Sequence, residues 1–237
     1  MQANLSIRDP SPRFSGTSFR LEQAEESFKA RVLEHPFLTK CADGSISMQQ
    51  LNNFLAQHGK YSSYFTRYLC ALMSQLEDGN DVLQLASNLA EELGCTTKDT
   101  VPHSRIYADL LEHFEIRATE HKPYPQTQNL IDTMFMLCRQ PGGFAGLGAL
   151  ALGAEALVPA LYARIVDGFR NHGVPDSSLQ FFLIHMECDD GHADTMYSII
   201  RKAVRETPRL DLVVMSAGEI AINARLKFFD ALLENRS

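Results

Sequence analysis

Apolar residues recur at spacings of three and four along most of the chain, the period of helices with one buried face. In LEQAEESFKARVLEHPFL this stripe predicts a helix that ends near His35, because Pro36 cannot donate a backbone N–H, and CADGS follows as a turn. SMQQLNNFLAQHGKYSSYFTRYLCALM carries the next helical pattern, with Ser47 and Gln50 spaced for a capping box at its start. Asn80 or Asp81 can open DVLQLASNLAEELG and Gly94 can stop it, while Pro102 precedes HSRIYADLLEHF after a polar connection. QNLIDTMFMLCRQPGG is a further helix with its stop.

FAGLGALALGAEALVPALYARIVDGF reads as one long helix whose small residues permit close packing. Pro159 leaves the carbonyl of Glu155 without its usual partner, which predicts a bend there. After the turn NHGVPDSS, the stretch FFLIHMECDDGHADTMYSII begins and ends as an apolar helix and runs on through RKAVRE. LDLVVMSAGEIAINARLKFFDALLE makes the last long helix. Paired hairpin signals are missing, so the fold class expected is all-α, a helical bundle forming one domain over 19–237 behind a polar, flexible leader at 1–18.

Composition narrows the classes of function. The formal charge of -7 comes with scattered basic residues and no Lys/Arg block, so no nucleic-acid partner is expected. FAGLGALALGA is too short and too rich in Gly and Ala to span a bilayer, and no cleavable leader is evident, so a cytoplasmic protein without a membrane partner is expected. Five cysteines, an odd number without a CxxC pair, argue against a disulfide framework or a structural zinc cluster.

The chemistry lies in FFLIHMECDDGHADTMYSII. On a helix, His185, Asp189 and His192 fall within roughly 60° of one another and can converge. Imidazole and carboxylate donors suit iron, manganese or zinc. Glu155 is an isolated carboxylate in a dry neighbourhood, where burial is costly unless a cation offsets it. NLAEELG offers Glu91 and Glu92, of which only one can point cleanly inward, and His103 opens the following helix. Three histidines and three carboxylates are enough for two divalent ions, which outweigh the carboxylates by one positive charge. A small organic acid or amino acid would balance it. Phe144, Phe181, Phe182, Tyr61, Tyr64 and Tyr68 are candidate wall residues or ordinary core, and Arg67 and Arg225 are candidate contacts for the acid, although arginines usually stand at the surface.

From LEHPFL to the last helix the chain resembles the heme-oxygenase-like diiron oxidases and oxygenases, related in fold to thiaminase II and pyrroloquinoline-quinone synthase. NLAEELG, PHSRIYADLLEHF, GAEALVPALYARI and HMECDDGH carry the resemblance in that order. It implies Glu92, His103, Glu155, His185, Asp189 and His192 as ligands of two iron(II) ions, with manganese or zinc as substitutes in a purified sample. It further implies activation of O2 against a small carboxylate-containing substrate such as an amino acid or fatty acid, an external reductant, and a homodimer. Some relatives use another carboxylate from the second helix, where YSSYFTRYL supplies none.

Two other functions are compatible with such a bundle. A thiaminase-II-like hydrolase asks for an activated cysteine, and neither Cys138 nor Cys188 stands in a specific context for one. A noncatalytic helical partner protein would keep the fold and at most one metal. Glu219 resembles a last-helix acid of related enzymes, or makes an ordinary surface ion pair or supports a ligand histidine. His35, ahead of Pro36, does not establish an axial heme ligand.

Overall fold

The computed structural model describes the backbone of residues 16–97 and 100–234, and their side chains except those of 16–19 and 187–190. The described residues form α1 (Gly16–Leu33), α2 (Pro36–Asp43), α3 (Met48–Ser62), α4 (Phe65–Met73), α5 (Gly79–Glu92), α6 (His103–His113), α7 (Pro125–Cys138), α8 (Phe144–Ala151), α9 (Val158–Asn171), α10 (Gln180–Glu206) and α11 (Leu210–Glu234), and contain no strand. The all-α single-domain bundle predicted from the apolar period is what forms. Residues 1–15 of the expected leader lie outside the described residues, and 16–18 already belong to α1.

Prolines and glycines punctuate the chain, with some differences from expectation. Pro36 ends one helix and also begins α2. His35 is held in extended backbone before the proline, and its Nδ1 accepts the Phe37 N–H at 3.1 Å as the N-cap. The capping box of Ser47 and Gln50 is present at the start of α3. Asp78, rather than Asn80 or Asp81, caps α5 by accepting the Asn80 N–H. The continuous helix expected over 48–73 is two helices, because the Ser63 hydroxyl bonds the Lys60 carbonyl and the Tyr64 N–H turns back to Tyr61.

The largest difference lies at 144–171. This segment is apolar and long enough to cross a membrane by composition, but most of its apolar surface is buried in the bundle. Instead of one bent helix it forms α8 and α9, separated by a non-helical stretch and a 3₁₀ turn at Glu155–Leu157. Pro159 supplies no N–H to Glu155, so the Val158 N–H takes that carbonyl one residue early and tightens the turn. The break carries the Glu155 side chain inward.

The long helices α10 and α11 organise the core. α11 packs along α8 and α7, while α10 lies against α9, α5, α6 and the 155–157 turn. Small residues let α8 approach α11 closely, since a Cβ on Gly148 would stand 2.2 Å from the Val214 carbonyl oxygen. At its far end α10 is tied to α5 by Lys202, which bonds Asp78 and reaches Asp81 at 2.9 Å. These contacts hold α5, α6, α10 and the Glu155 turn around one interior point.

Candidate metal centre

Glu92 is the last residue of α5 and His103 the first of α6, so the connecting loop folds two donors back onto each other. His185 and His192 stand two turns apart on one face of α10, and Glu155 projects from the turn between α8 and α9. All five side chains are buried. His103 Nδ1 lies 3.2 Å from Glu92 Oε1, whose carboxylate is 3.9 Å from His192 Nδ1, and Glu155 Oε2 is 4.0 Å from the same His192 nitrogen. The His103 and His185 rings meet edge to face at 4.5 Å. Donor atoms of Glu92, His103 and His185 all lie within 4.8 Å of one another, a three-donor cluster able to hold a metal ion. Asp189 lies one helical turn beyond His185 on α10, and its side chain is outside the described residues.

Adjacent glutamates take separate tasks. Glu92 points into the cluster, while the half-exposed Glu91 accepts the His192 Nε2–H at 3.1 Å and leaves Nδ1 facing Glu92 and Glu155. His185 is oriented in the same manner, its Nδ1–H donated to the Phe181 carbonyl at 2.6 Å so that Nε2 is left for another partner. A buried carbonyl or carboxylate behind a histidine is how proteins fix the tautomer of a metal-binding imidazole.

The electrostatics suit a cation. Burial would raise the Glu92 carboxyl, but the adjacent His103 imidazole, with smaller contributions from His185 and His192, holds it below its ordinary value. Burial would lower His103, and Glu92 overcomes this and raises it. His185 is pushed down to about 4, by burial and then by His103, so it stays a neutral donor. Among the described residues His103 Nδ1, 3.2 Å from Glu92 Oε1, is a buried nitrogen without a full hydrogen bond, which an ion would satisfy. Neutral imidazoles and an ionised carboxylate are the donor forms metals require, and this set fits iron, manganese or zinc.

A cavity of about 250 Å³ opens beside the cluster and is lined by it together with His58, Tyr61, Tyr107, Tyr162, Phe181 and Arg225. Of the expected wall residues, Tyr61 and Phe181 line it. Phe182 and Tyr68 are fully buried in the core, and Tyr64 and Phe144 pack against it, because their helix faces turn away from the donors. Arg67 is exposed at the cavity mouth and Arg225 is buried in the wall. Glu219 makes a surface ion pair with Arg31. His35 caps α2 and bonds Asp230 at 3.1 Å. The sequence reading missed His58, which stacks on Phe54 and meets the Tyr162 hydroxyl at 2.9 Å. Its signal was the apolar stripe Leu51, Phe54, Leu55 and Tyr61, on which position 58 falls.

A family model described as an iron-containing redox enzyme matches residues 52–225, a span that includes all six sequence-predicted donors. The chain belongs to that family. Among similar proteins, a 4-aminobenzoate synthase of Nitrosomonas europaea is 28% identical over 227 residues, covering 90% of this chain and 91% of that protein. Among solved structures, a domain with a heme oxygenase-like fold from Shewanella denitrificans matches with a TM-score of 0.77 at 17% identity, covering 97% of this chain and 94% of that one. A TenA homologue from Pseudomonas syringae matches with a TM-score of 0.73 at 14% identity, covering 96% and 99%. These two likenesses show the heme-oxygenase-like fold.

Proposed function

We propose that the chain is a non-heme iron enzyme that uses O2 to oxidise a small carboxylate-bearing molecule, with Glu92, His103, Glu155, His185, Asp189 and His192 as donors to two iron ions. The observation that carries this reading is the burial of five described donors, delivered from four separate segments, within reach of one another beside a cavity. Iron held by such nitrogen and oxygen donors supplies, when bound, the electrons that reduce O2.

The chain's own residues do the rest. Glu92 stands between His103 and His192, where one carboxylate can serve two ions. Phe181 and Glu91 orient His185 and His192, and the surrounding helices exclude bulk water from the donors. The Nitrosomonas relative is named for making 4-aminobenzoate, an acid with an amine on its ring, and a product of that kind supports a small acid as the occupant of the cavity. The test is anaerobic reconstitution with iron(II), metal counting, and oxygen uptake with amino and aromatic acids. Two irons per chain and acid-stimulated oxygen uptake are expected, and a chain that retains no iron refutes the reading and favours the noncatalytic partner.

The TenA likeness supports a second reading, a thiaminase-II-like hydrolase. Burial pushes the thiols of Cys41 and Cys138 up to about 12, and neither they nor the exposed Cys70 and Cys95 line the cavity, so the nucleophile left to it is Cys188, whose side chain is outside the described residues. Metal-independent cleavage of thiamin that is lost in Cys188→Ser would establish this reading against the oxidative one.

A further inference from the structure

Arg225 has more donors than the protein uses. It is 4% exposed and reaches the cavity wall from α11. Its Nε and Nη2 donate to the Gly153 carbonyl at 3.1 and 3.0 Å, and Nη2 also donates to the Tyr61 hydroxyl oxygen at 3.0 Å. Gly153 can spare that carbonyl because the chain breaks between α8 and α9, and no helical N–H claims it. Among the described residues Nη1 donates to nothing, and no carboxylate oxygen lies within 4.0 Å of the guanidinium. The Glu155 carboxylate lines the same cavity, lies 4.0 Å from His192 and acts on Tyr61 only at longer range.

A guanidinium keeps its charge, and a carbonyl and a phenol oxygen do not neutralise it. A buried cation of this kind is strongly favoured to take an anion, and a planar carboxylate matches the fork of a guanidinium. Tyr61 completes the donor set. Burial raises its phenol against the opposing effect of Arg225, so it stays protonated and can donate its hydrogen onward while accepting from Arg225.

We propose that Arg225 and Tyr61 form the anchoring subsite for the carboxylate of a small aromatic acid, with the ring against Tyr162 and Phe181 and its far end toward Glu92, His103 and His185. The subsite deepens the oxidative reading and rests on it for which end of the acid reacts. A volume of about 250 Å³ holds roughly eight waters, which suits an acid of about ten non-hydrogen atoms.

The experiment is titration calorimetry of the full chain, once loaded with zinc so that no oxygen chemistry intervenes and once after chelation. The probes are 4-aminobenzoate and 4-aminobenzamide, which share a ring and an amine and differ in charge. The acid is expected to bind both forms, with the amide at least about tenfold weaker. Arg225→Gln is expected to reduce acid affinity to that of the amide, and Tyr61→Phe to weaken it several-fold, with zinc content unchanged in both. If Arg225→Gln does not fold, the acid–amide comparison on the unsubstituted chain and Tyr61→Phe decide. Equal binding of acid and amide, or no binding of either, overturns the anchor. Acid binding that requires zinc and survives Arg225→Gln seats the carboxylate on the metal, which overturns the anchor and spares the metal reading. Acid selectivity in a chain that takes up no metal supports the anchor and counts against the metal reading alone.

Discussion

Replacing Gly148 by alanine tests the close approach of α8 to α11, the helix that carries Arg225 into the cavity wall. The added Cβ would lie 2.2 Å from the Val214 carbonyl oxygen and 2.8 Å from its carbonyl carbon and Cα, whereas ordinary Cβ contacts begin at 3.4 Å. α8 and α11 must therefore part by roughly 1 Å, and because the obstacle is backbone, no change of rotamer relieves it. Overpacking of this kind costs about 1–3 kcal/mol, and a rigid obstacle argues for the upper half of that range. In a domain of this length each kcal/mol moves Tm by about 2–4 °C, so Gly148→Ala is expected to lower Tm by about 4–12 °C. Thermal unfolding of the metal-free chain followed by circular dichroism is the assay, with Gly79→Ala as control, since a Cβ at Gly79 meets nothing within 4 Å. The widened gap also shifts α11 and with it Arg225, so affinity for 4-aminobenzoate should fall alongside Tm. If Gly148→Ala melts no lower than Gly79→Ala, the close approach of α8 and α11 is wrong.

Further outcomes follow from the donors and their surroundings. Glu92→Gln should abolish high-affinity iron uptake, whereas Glu91→Gln, which changes only the support behind His192, should weaken it about 10–100-fold; equal loss in both would remove the distinction between them. Glu155→Ala should at least halve the iron content while leaving far-UV helicity intact, and two tightly held irons in that variant would exclude Glu155 as a donor. Acid should destabilise the metal-free chain. Burial and then Arg225 push His58 down to about 3, and burial and then His103 push His185 down to about 4, from the ordinary 6.5. Below pH 6.5 the unfolded chain takes up protons that the folded chain refuses, so stability is lost as pH falls toward 4, by at most about 1.4 kcal/mol per pH unit for each histidine. His103, raised by Glu92, opposes part of this loss. Urea midpoints at pH 7 and 5 measure the effect, which His58→Gln should make shallower; an unchanged slope would refute the assignment to His58.

Much of the bundle was legible because helices announce themselves locally. The Ser47–Gln50 box, the stop at Gly94 and the proline ahead of α6 each act within a few residues, and each appears where the sequence pointed. The breaks at Ser63 and at 152–157 were not legible, because the apolar period runs through both. What interrupts them is competition for individual carbonyls, by the Ser63 hydroxyl in one case and by the missing N–H of Pro159 in the other. Pro159 did signal a disturbance, but not that the chain leaves the helix rather than bending it, with Gly153 so close to Ala221 that an added Cβ would stand 2.6 Å from it.

By itself the sequence determined the helical class, the shared face of His185, Asp189 and His192, and the oddity of a lone glutamate in a dry segment, since all three follow from periodicity and the cost of burying charge. Tertiary structure decided which of Glu91 and Glu92 turns inward, that His58 and Tyr162 wall the cavity, and that Arg225 is buried rather than at the surface. Those outcomes depend on how helices far apart in the chain rotate about their axes to fill one core, and a residue's own neighbours in sequence carry no record of that rotation.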